Sequence, residues 1–283
     1  MSRQSDPGRA DDGRAGPEAD TRKVQLVGGS TYSVSLLREW AEREGVEAGS
    51  EVYLHPHTDG SLVVRAAPEP AETAEIAVPA GELDADSLGR TVRAMYVAGY
   101  DEVTLLADDG VDTDAARAIA EALDTTIGAE IVEERDNKIV VRSFLDPEEV
   151  SLRQSVFQLK HAALDAYDVA VSALFGGGGD PARATGRDDE IDRLCGLVAR
   201  YFQRGLADFS VIDRLGVDRS TLFELYTTSR QLERVAGYAG RLGRLAADGD
   251  TLDPALADPA REAEDVVEDA TAALLGDADP DVA

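Results

Sequence analysis

The sequence predicts a multi-domain α+β protein with a small N-terminal β-module, a middle domain of βαβαββ order and a C-terminal antiparallel helical bundle. The chain has 283 residues, which suits two or three domains, and 43% of them are hydrophobic, enough for real cores. Short apolar-polar alternations fill the first half, whereas helical apolar spacing fills the second. Residues 66–73, rich in proline, alanine and glutamate, have the composition of a linker between the first module and the rest.

The charge of the chain is strongly acidic. It contains 56 Asp and Glu residues against 28 Lys and Arg residues, a net charge of −28, and only Lys23, Lys138 and Lys160 are lysines. At molar salt the screening length falls to about 3 Å, so the mutual repulsion of these charges is largely removed. The composition therefore favours a halophilic protein over a merely acidic mesophilic one.

Three further features of the sequence predict a cytoplasmic protein. Residues 1–20 lack the apolar core of a signal peptide and predict a disordered leader. No apolar run approaches the length of a membrane span. Cys195 is the single cysteine, so an intramolecular disulfide is excluded and nothing requires an oxidising compartment.

Residues 21–66, which we call the head, are predicted to form the β-module. Apolar and polar residues alternate around the turn at 28–31, which indicates a hairpin. A short helix is predicted over 37–45 and a second hairpin over 49–64, with Trp40 and Tyr53 in the core of the module. About 45 residues bury too little surface for comfortable stability alone, so we expect two chains to share one core.

Residues 74–145 predict a small α/β domain that serves as a connector, a dimerisation domain or a sensor. Its order βαβαββ implies one sheet with both helices on the same side. The predicted strands cover 75–78, 102–106, 130–134 and 138–144, and the predicted helices cover 84–97 and 112–123.

Residues 146–276 predict a helical bundle, followed by an acidic tail at 277–283. Asp146 and Pro147 carry the signature of a helix start, and the run Gly176 to Gly179 ends the first helix. A second and a third long helix and a shorter fourth helix at 259–275 complete the bundle. The predicted apolar seams are Leu152, Val156, Leu159, Ala163, Ala166, Ala170 and Ala173; Ile191, Leu194, Val198, Tyr201 and Leu206; and Leu222, Leu225, Ser229, Leu232, Ala236 and Ala239.

The head resembles a known family of DNA-binding proteins. In residues 22–65 an apolar strand leads into the Leu37-Arg38-Glu39-Trp40 helix start, and Gly49-Ser50-Glu51-Val52 supplies a second landmark. This pattern resembles the AbrB/SpoVT family of swapped-hairpin transcription factors, with Leu37 in place of the usual proline and Ser50 in place of the usual aspartate. The resemblance implies a swapped-hairpin homodimer that binds DNA.

The bundle resembles a second family. Residues 186–202 and 230–246 are similar to helices of the PhoU family of phosphate-uptake regulators, and the joint architecture resembles archaeal PhoU-type proteins with an AbrB-like head. The helices of that family carry acidic motifs that hold metal clusters. Asp188 and Asp192 fit the spacing, and Glu233 begins a second motif, but Gly237 stands where an aspartate is expected. Glycine offers no ligand oxygen, so we assign no metal site; whether Asp188, Asp192 and Glu233 hold any metal stays open.

The head is also the part of the chain whose charge suits DNA. Residues 21–66 contain five basic and six acidic residues, whereas the whole chain carries −28. In a two-fold dimer we expect the basic side chains to share one face and contact phosphates and base edges, while hydroxyls in the turn donate to phosphate. The alternative for each arginine is a surface ion pair with Glu39, Glu42 or Glu44. The candidate DNA-binding residues are Arg22, Lys23, Ser30, Thr31, Arg38 and Arg43.

The histidines and the single cysteine are not arranged in a pattern typical of catalysis or metal binding. His55 and His57 lie two apart on a strand, with only Asp59 nearby, and are expected to be exposed rather than metal ligands. His161 and Cys195 are expected to pack in the bundle. The sequence has no nucleophile elbow, phosphate-binding loop or complete metal cage, so we predict a non-enzyme without a cofactor.

These observations lead to three hypotheses. The first is a dimeric, DNA-binding transcriptional regulator of phosphate uptake, whose bundle receives a signal or docks to a transporter or another regulator. The second is a helical adaptor that modulates a phosphate transporter or its signalling partner without binding DNA. The third is a bundle that binds metal or phosphate and thereby switches the head.

Overall fold

The structure is a computed structural model that describes residues 20–57, 60–67, 73–81, 83–107, 110–249 and 252–276. It is a mixed α+β protein with small sheets in its first half and a helical C-terminal region. The predicted leader up to residue 19, the predicted tail 277–283 and Asp59 lie outside the described residues. Among the described residues, no helix combines the length and apolarity needed to cross a membrane.

The head contains two separate antiparallel hairpins and one short helix. Strands β1 (Gln25–Val27) and β2 (Thr31–Ser33) form the first hairpin, and β3 (Tyr53–Pro56) and β4 (Leu62–Arg65) form the second. Helix α1 (Arg38–Arg43) lies between them in sequence. The first turn needs positive φ at Gly28 (64°) and Gly29 (82°), a conformation that glycine adopts without steric penalty. This order of strands and helix is the predicted one.

The head has no core of its own within one chain. None of its described residues is buried, and Tyr32, Val24, Leu26, Leu54 and Leu62 are between 56% and 75% exposed. The prediction that Trp40 and Tyr53 form a core is therefore wrong for the single chain, where Trp40 is half-buried and Tyr53 is exposed. The physical reason is that the two hairpins do not pair with each other, so neither covers the other's apolar face.

The middle domain is a four-stranded sheet covered by two helices. Strands β5 (Glu75–Pro79) and β6 (Glu102–Leu106) are parallel, and β8 (Lys138–Ser143) pairs antiparallel with both β6 and β7 (Ala129–Arg135). Helices α2 (Ala85–Val97) and α3 (Thr113–Asp124) begin at the capping aspartates Asp84 and Asp112. The strand order is β5-β6-β8-β7, and the element order along the chain is the predicted βαβαββ.

Both helices of the middle domain pack on one face of the sheet, as predicted. Leu88 and Val92 of α2 and Ile119 of α3 share a core with Val103, Leu105, Ile139 and Val141 of the strands. The helices approach each other closely at Gly89, where a Cβ atom would lie 2.9 Å from the Ala118 carbonyl oxygen. A side chain at Gly89 would therefore force the two helices apart.

The C-terminal region is built from three long helices, α4 (Leu152–Leu174), α6 (Asp188–Ala207) and α8 (Arg219–Ala247). A fourth, α9 (Ala257–Leu275), runs antiparallel to α4, because Arg153 contacts the Leu275 carbonyl oxygen and Tyr167 contacts that of Ala260. Two short helices that the sequence analysis missed, α5 (Pro181–Thr185) and α7 (Phe209–Arg214), lie on either side of α6 in the chain.

The predicted seams of the bundle are buried with few exceptions. The third seam is buried throughout, whereas Ala173 of the first seam is half-buried and Leu206 of the second is 60% exposed. Leu206 lies off the buried face of α6, which continues from Tyr201 to Gly205. The first bundle helix also begins later than predicted: Asp146 caps the 3-10 turn Pro147–Glu149, and Ser151 caps α4.

Helix α6 joins the bundle to the middle domain. It packs against α2, where Gly196 lies beneath Tyr96 and Val97. An ion pair of 2.8 Å between Arg93 and Asp192 crosses the same contact. The two regions thus share a packed interface in addition to the chain that connects them.

Candidate nucleic-acid interface

The candidate DNA-binding residues of the first hairpin fall into two groups. Arg22 and Lys23 precede β1 at the open end, whereas Ser30 and Thr31 lie at the turn. At about 3.3 Å per residue, Lys23 lies roughly 16 Å from the start of the turn. One chain therefore does not bring the two groups to the same phosphate, although all four residues are exposed.

The three candidate arginines of the head are engaged in surface ion pairs. Arg22 pairs with Asp20 at 2.6 Å, Arg38 with Glu42 at 2.8 Å and Arg43 with Glu44 at 2.9 Å. Arg38 and Arg43 thus make the ion pairs that were the alternative to DNA contact. Exposed pairs of this kind contribute about 0–1 kcal/mol each, so a phosphate can displace the carboxylate. Lys23 is exposed and makes no ion pair with any described residue.

Helix α1 carries Arg38 at its first turn and Arg43 at its last. Six residues make less than two turns, none of them is buried, and no side chain caps the N-terminus. Such a helix depends on packing for its stability, because nucleation in isolation is unfavourable. Burial within one chain therefore does not fix the orientation of Arg38 and Arg43.

The second hairpin contacts the bundle, which the sequence analysis did not anticipate. His57 was expected to be exposed, but its side chain is only 6% exposed and its Nδ1 atom lies 2.6 Å from the Asp213 carboxylate of α7. The imidazole also meets the ring of Phe209 edge-on, with centroids 5.7 Å apart. Beside it, Arg219 of α8 stacks over Phe209 and its guanidinium donates to the Ser61 hydroxyl at 3.5 Å. His55 is half-buried.

Of the other two side chains expected to pack in the bundle, Cys195 does so, whereas the expectation for His161 is wrong because its side chain is exposed. Cys195 is buried, and its thiol lies 3.8 Å from the Ser229 carbonyl oxygen. Burial raises the pKa of this thiol to about 12, with a smaller contribution from the Glu233 and Asp192 carboxylates. The exposed imidazole of His161 instead stacks edge-on against the ring of Phe157 at 4.5 Å.

The candidate metal carboxylates do not converge. Asp192 pairs with Arg93 and Glu233 pairs with Arg230. Burial, and then the neighbouring Asp192 charge, raise the pKa of Asp188. In the part of the chain that the structure describes, no group of three or more His, Cys, Asp or Glu side chains is arranged to hold a metal ion.

A second feature missed by the sequence analysis is a buried charged cluster between the middle domain and the bundle. Arg200 and Arg204 of α6 both contact Asp101, which precedes β6. The sequence did contain a signal for this cluster, because two arginines four residues apart continue the apolar face of α6. The pattern alone does not identify the carboxylate that receives them.

Comparisons with family models, with curated proteins and with solved structures found no match to this chain.

Proposed function

We propose that this protein is a dimeric, DNA-binding transcriptional regulator in which the heads of two chains form one swapped-hairpin module. The observation that carries the proposal is the head itself: two hairpins with uncovered apolar side chains in a segment whose charge is close to neutral. The rest of the chain carries nearly all of the net charge of −28. A surface for DNA is therefore most compatible with the head.

The case for a dimer rests on the exposed side chains. Burying a leucine, valine or tyrosine contributes about 1.5–3 kcal/mol, and the head exposes at least five such residues. Several exposed large apolar side chains within one short segment are typical of an interaction surface. A second head of the same sequence offers the same strands and the same apolar faces, so one symmetric contact covers both.

The proposed DNA surface is centred on Lys23, with Arg22, Arg38 and Arg43 around it. Two-fold symmetry places each cation twice on the dimer and brings hairpins from two chains together. The cations of one chain then lie near the turn hydroxyls of the other, a proximity that a single chain does not provide. Lysine contributes a point charge to phosphate, and arginine can read guanine through its two parallel N–H groups. Ser30 and Thr31 donate to phosphates at the turn.

We assign the regulated process, phosphate uptake, from the resemblance of the bundle to the PhoU family. In this proposal the middle domain and the bundle receive the signal, and a phosphate transporter component or another regulator docks on them. The contact of His57 with Asp213 supports communication between head and bundle, because it joins the second hairpin directly to α7.

The test is fluorescence anisotropy with labelled DNA from upstream of its own gene and of phosphate-transport genes, in molar KCl. The matched variants are Lys23→Ala with Arg38→Ala, and, as a control of equal charge change, Arg117→Ala with Arg261→Ala on exposed helix surfaces. We expect saturable, sequence-selective binding by the protein and the control, and at least tenfold weaker binding by the head variant. Equal DNA binding by the two variants would contradict the assignment of these residues as the DNA-binding surface.

A second candidate function, the adaptor that does not bind DNA, has one observation in its favour. Helices α8 and α9 border a groove of about 360 Å³, in which Tyr238, Val266 and Leu274 are exposed. A partner helix of a transporter or signalling protein would bury these side chains. Absence of DNA binding at every salt concentration in the anisotropy experiment would favour this function.

A further inference from the structure

Helix α6 directs two arginines, one turn apart, into the middle domain. The Arg200 side chain is fully buried and that of Arg204 is 13% exposed. Charged groups are almost never buried without partners, because removal from water is expensive. In a chain with twice as many acidic as basic residues, two buried cations side by side call for a specific explanation.

Both guanidinium groups share one carboxylate. Arg200 donates to Asp101 Oδ1 and to the carbonyl oxygens of Tyr96 at 2.9 Å and Tyr100 at 2.7 Å. Arg204 Nη1 donates to the same Oδ1 at 2.7 Å. The second oxygen of Asp101 accepts the Ala74 N–H at 3.1 Å. Arg200 is thus held from three sides, whereas Asp101 is the only hydrogen-bond acceptor that the Arg204 side chain has among the described residues.

Arg204 lines a solvent-open cavity of about 490 Å³ between the middle domain and the bundle. At its mouth Arg142 pairs with Glu102 at 2.5 Å and Arg214 pairs with Asp146 at 2.8 Å, and Glu75 adds one further carboxylate. Beside the cavity the Ser143 hydroxyl oxygen is buried, with no hydrogen-bond partner in the described part of the chain. The volume is within the range of sites for small ligands.

The charges of the cavity are unevenly distributed. At the mouth Arg142 faces Glu102, and Arg214 faces both Asp146 and Glu148. Glu75 adds a further carboxylate there, whereas at the inner end two guanidiniums face one carboxylate. The inner end therefore has one positive charge in excess, together with unused N–H donors on Arg204. A planar guanidinium with free donors in a partly buried site binds carboxylate or phosphate oxygens in two parallel hydrogen bonds.

We propose that this junction cavity is a binding site for a small oxyanion, with Arg204 as the main ligand-binding side chain and Arg200 as the residue that holds Asp101 in place. Phosphate and carboxylate share the required chemistry, namely two adjacent oxygens that carry negative charge. An oxyanion bound here touches α6 of the bundle and the strands of the middle domain at once, so it stabilises their contact. The proposal does not depend on DNA binding by the head.

The experiment is isothermal titration calorimetry of the full chain with inorganic phosphate, sulfate and succinate in separate arms, in KCl, with thermal unfolding in parallel. The test variant is Arg204→Gln, which leaves Arg200 and Asp101 paired one to one and should fold; circular dichroism checks this. The control is Arg193→Gln, an exposed arginine three turns earlier on α6. Arg204→Lys keeps the charge but removes the planar fork.

We expect saturable binding of at least one of the three anions, a rise in the unfolding temperature with that anion, and affinity about tenfold or more weaker in Arg204→Gln. Arg193→Gln should bind like the unmodified protein and Arg204→Lys should be intermediate. The arm with the tightest binding assigns the ligand class, which is a tetrahedral oxyanion for phosphate or sulfate and a carboxylate for succinate. Absence of saturable binding in all three arms, or equal affinity in Arg204→Gln, would overturn the proposal, and neither result bears on DNA binding.

Discussion

Asp101 joins the middle domain to the bundle through ion pairs with two arginines of α6. Burial lowers the pKa of Arg200, and the Asp101 carboxylate is the principal group that opposes this shift. Asp101 also accepts hydrogen bonds from Arg204 and from the backbone of Ala74. One side chain thus neutralises a buried cation and fixes the start of β6.

Replacing Asp101 with asparagine keeps its size and removes its charge. We expect Asp101→Asn to lower the free energy of unfolding by about 3–5 kcal/mol, because it leaves a buried guanidinium without a counter-charge. Urea unfolding followed by circular dichroism measures the change. The matched control is Asp114→Asn, whose exposed pair with Arg117 should contribute less than about 1 kcal/mol. Equal destabilisation by the two substitutions would contradict the role given to Asp101.

Cys195 provides a residue-scale test of the bundle core. Because burial raises the pKa of its thiol to about 12, the reactive thiolate is scarce at pH 8. We expect a disulfide reagent at pH 8 to leave the native protein unmodified and to modify one thiol per chain in denaturant. Complete modification of the native protein, with its helical signal unchanged, would show that this packing is wrong.

At the scale of elements, the second hairpin and α7 form the link between head and bundle. His57 and Asp213 are in direct contact across it, and Arg219 stacks beside them on Phe209. A partly buried pair of this kind has a larger coupling energy than an exposed one, because water screens it less.

A double-mutant cycle of His57→Ala and Asp213→Asn tests this link. We expect a coupling free energy of about 1 kcal/mol in urea unfolding, since the two groups are in contact. Hydrogen exchange should show faster exchange in β3 and β4 for either single variant, and unchanged exchange in β1 and β2. Strictly additive effects, with no change of exchange in β3 and β4, would contradict a contact between hairpin and bundle.

The elements themselves were largely predictable from the sequence. Asp84, Asp112 and Asp218 cap helices where a capping residue precedes an apolar periodicity, and the seam from Leu222 to Ala239 is buried as its spacing predicts. The short helices α5 and α7 were missed because five or six residues are too few to show a periodicity.

Contacts between distant elements were not predictable in the same way. The burial of His57 depends on the position of α7, more than 150 residues later in the chain, and Arg200 meets Asp101 across 99 residues. A histidine on a strand or an arginine on a helix has the same local pattern whether it is exposed or buried. The six candidate DNA-binding residues are placed accessibly in the structure, and their role stays a prediction.

At the scale of the whole molecule, the chain combines a folded middle domain and bundle with a head whose apolar residues are uncovered. Residues such as Leu26 and Tyr32 are more exposed than a stable single-chain module allows, whereas the two other regions have dense cores of their own. In one chain the middle domain and the bundle thus have buried cores, whereas none of the described residues of the head is buried. In the proposed dimer, the head of a second chain covers these apolar residues.

The most direct test of the proposed dimeric regulator is the native mass of its complex with a DNA duplex selected by the anisotropy experiment. We predict two chains per duplex, and two chains in the absence of DNA. A Leu26→Glu variant, which places a charge on the uncovered face of β1, should give single chains that keep their helical content and do not bind DNA. One chain per duplex, or a dimer that persists in Leu26→Glu with DNA binding intact, would contradict the account.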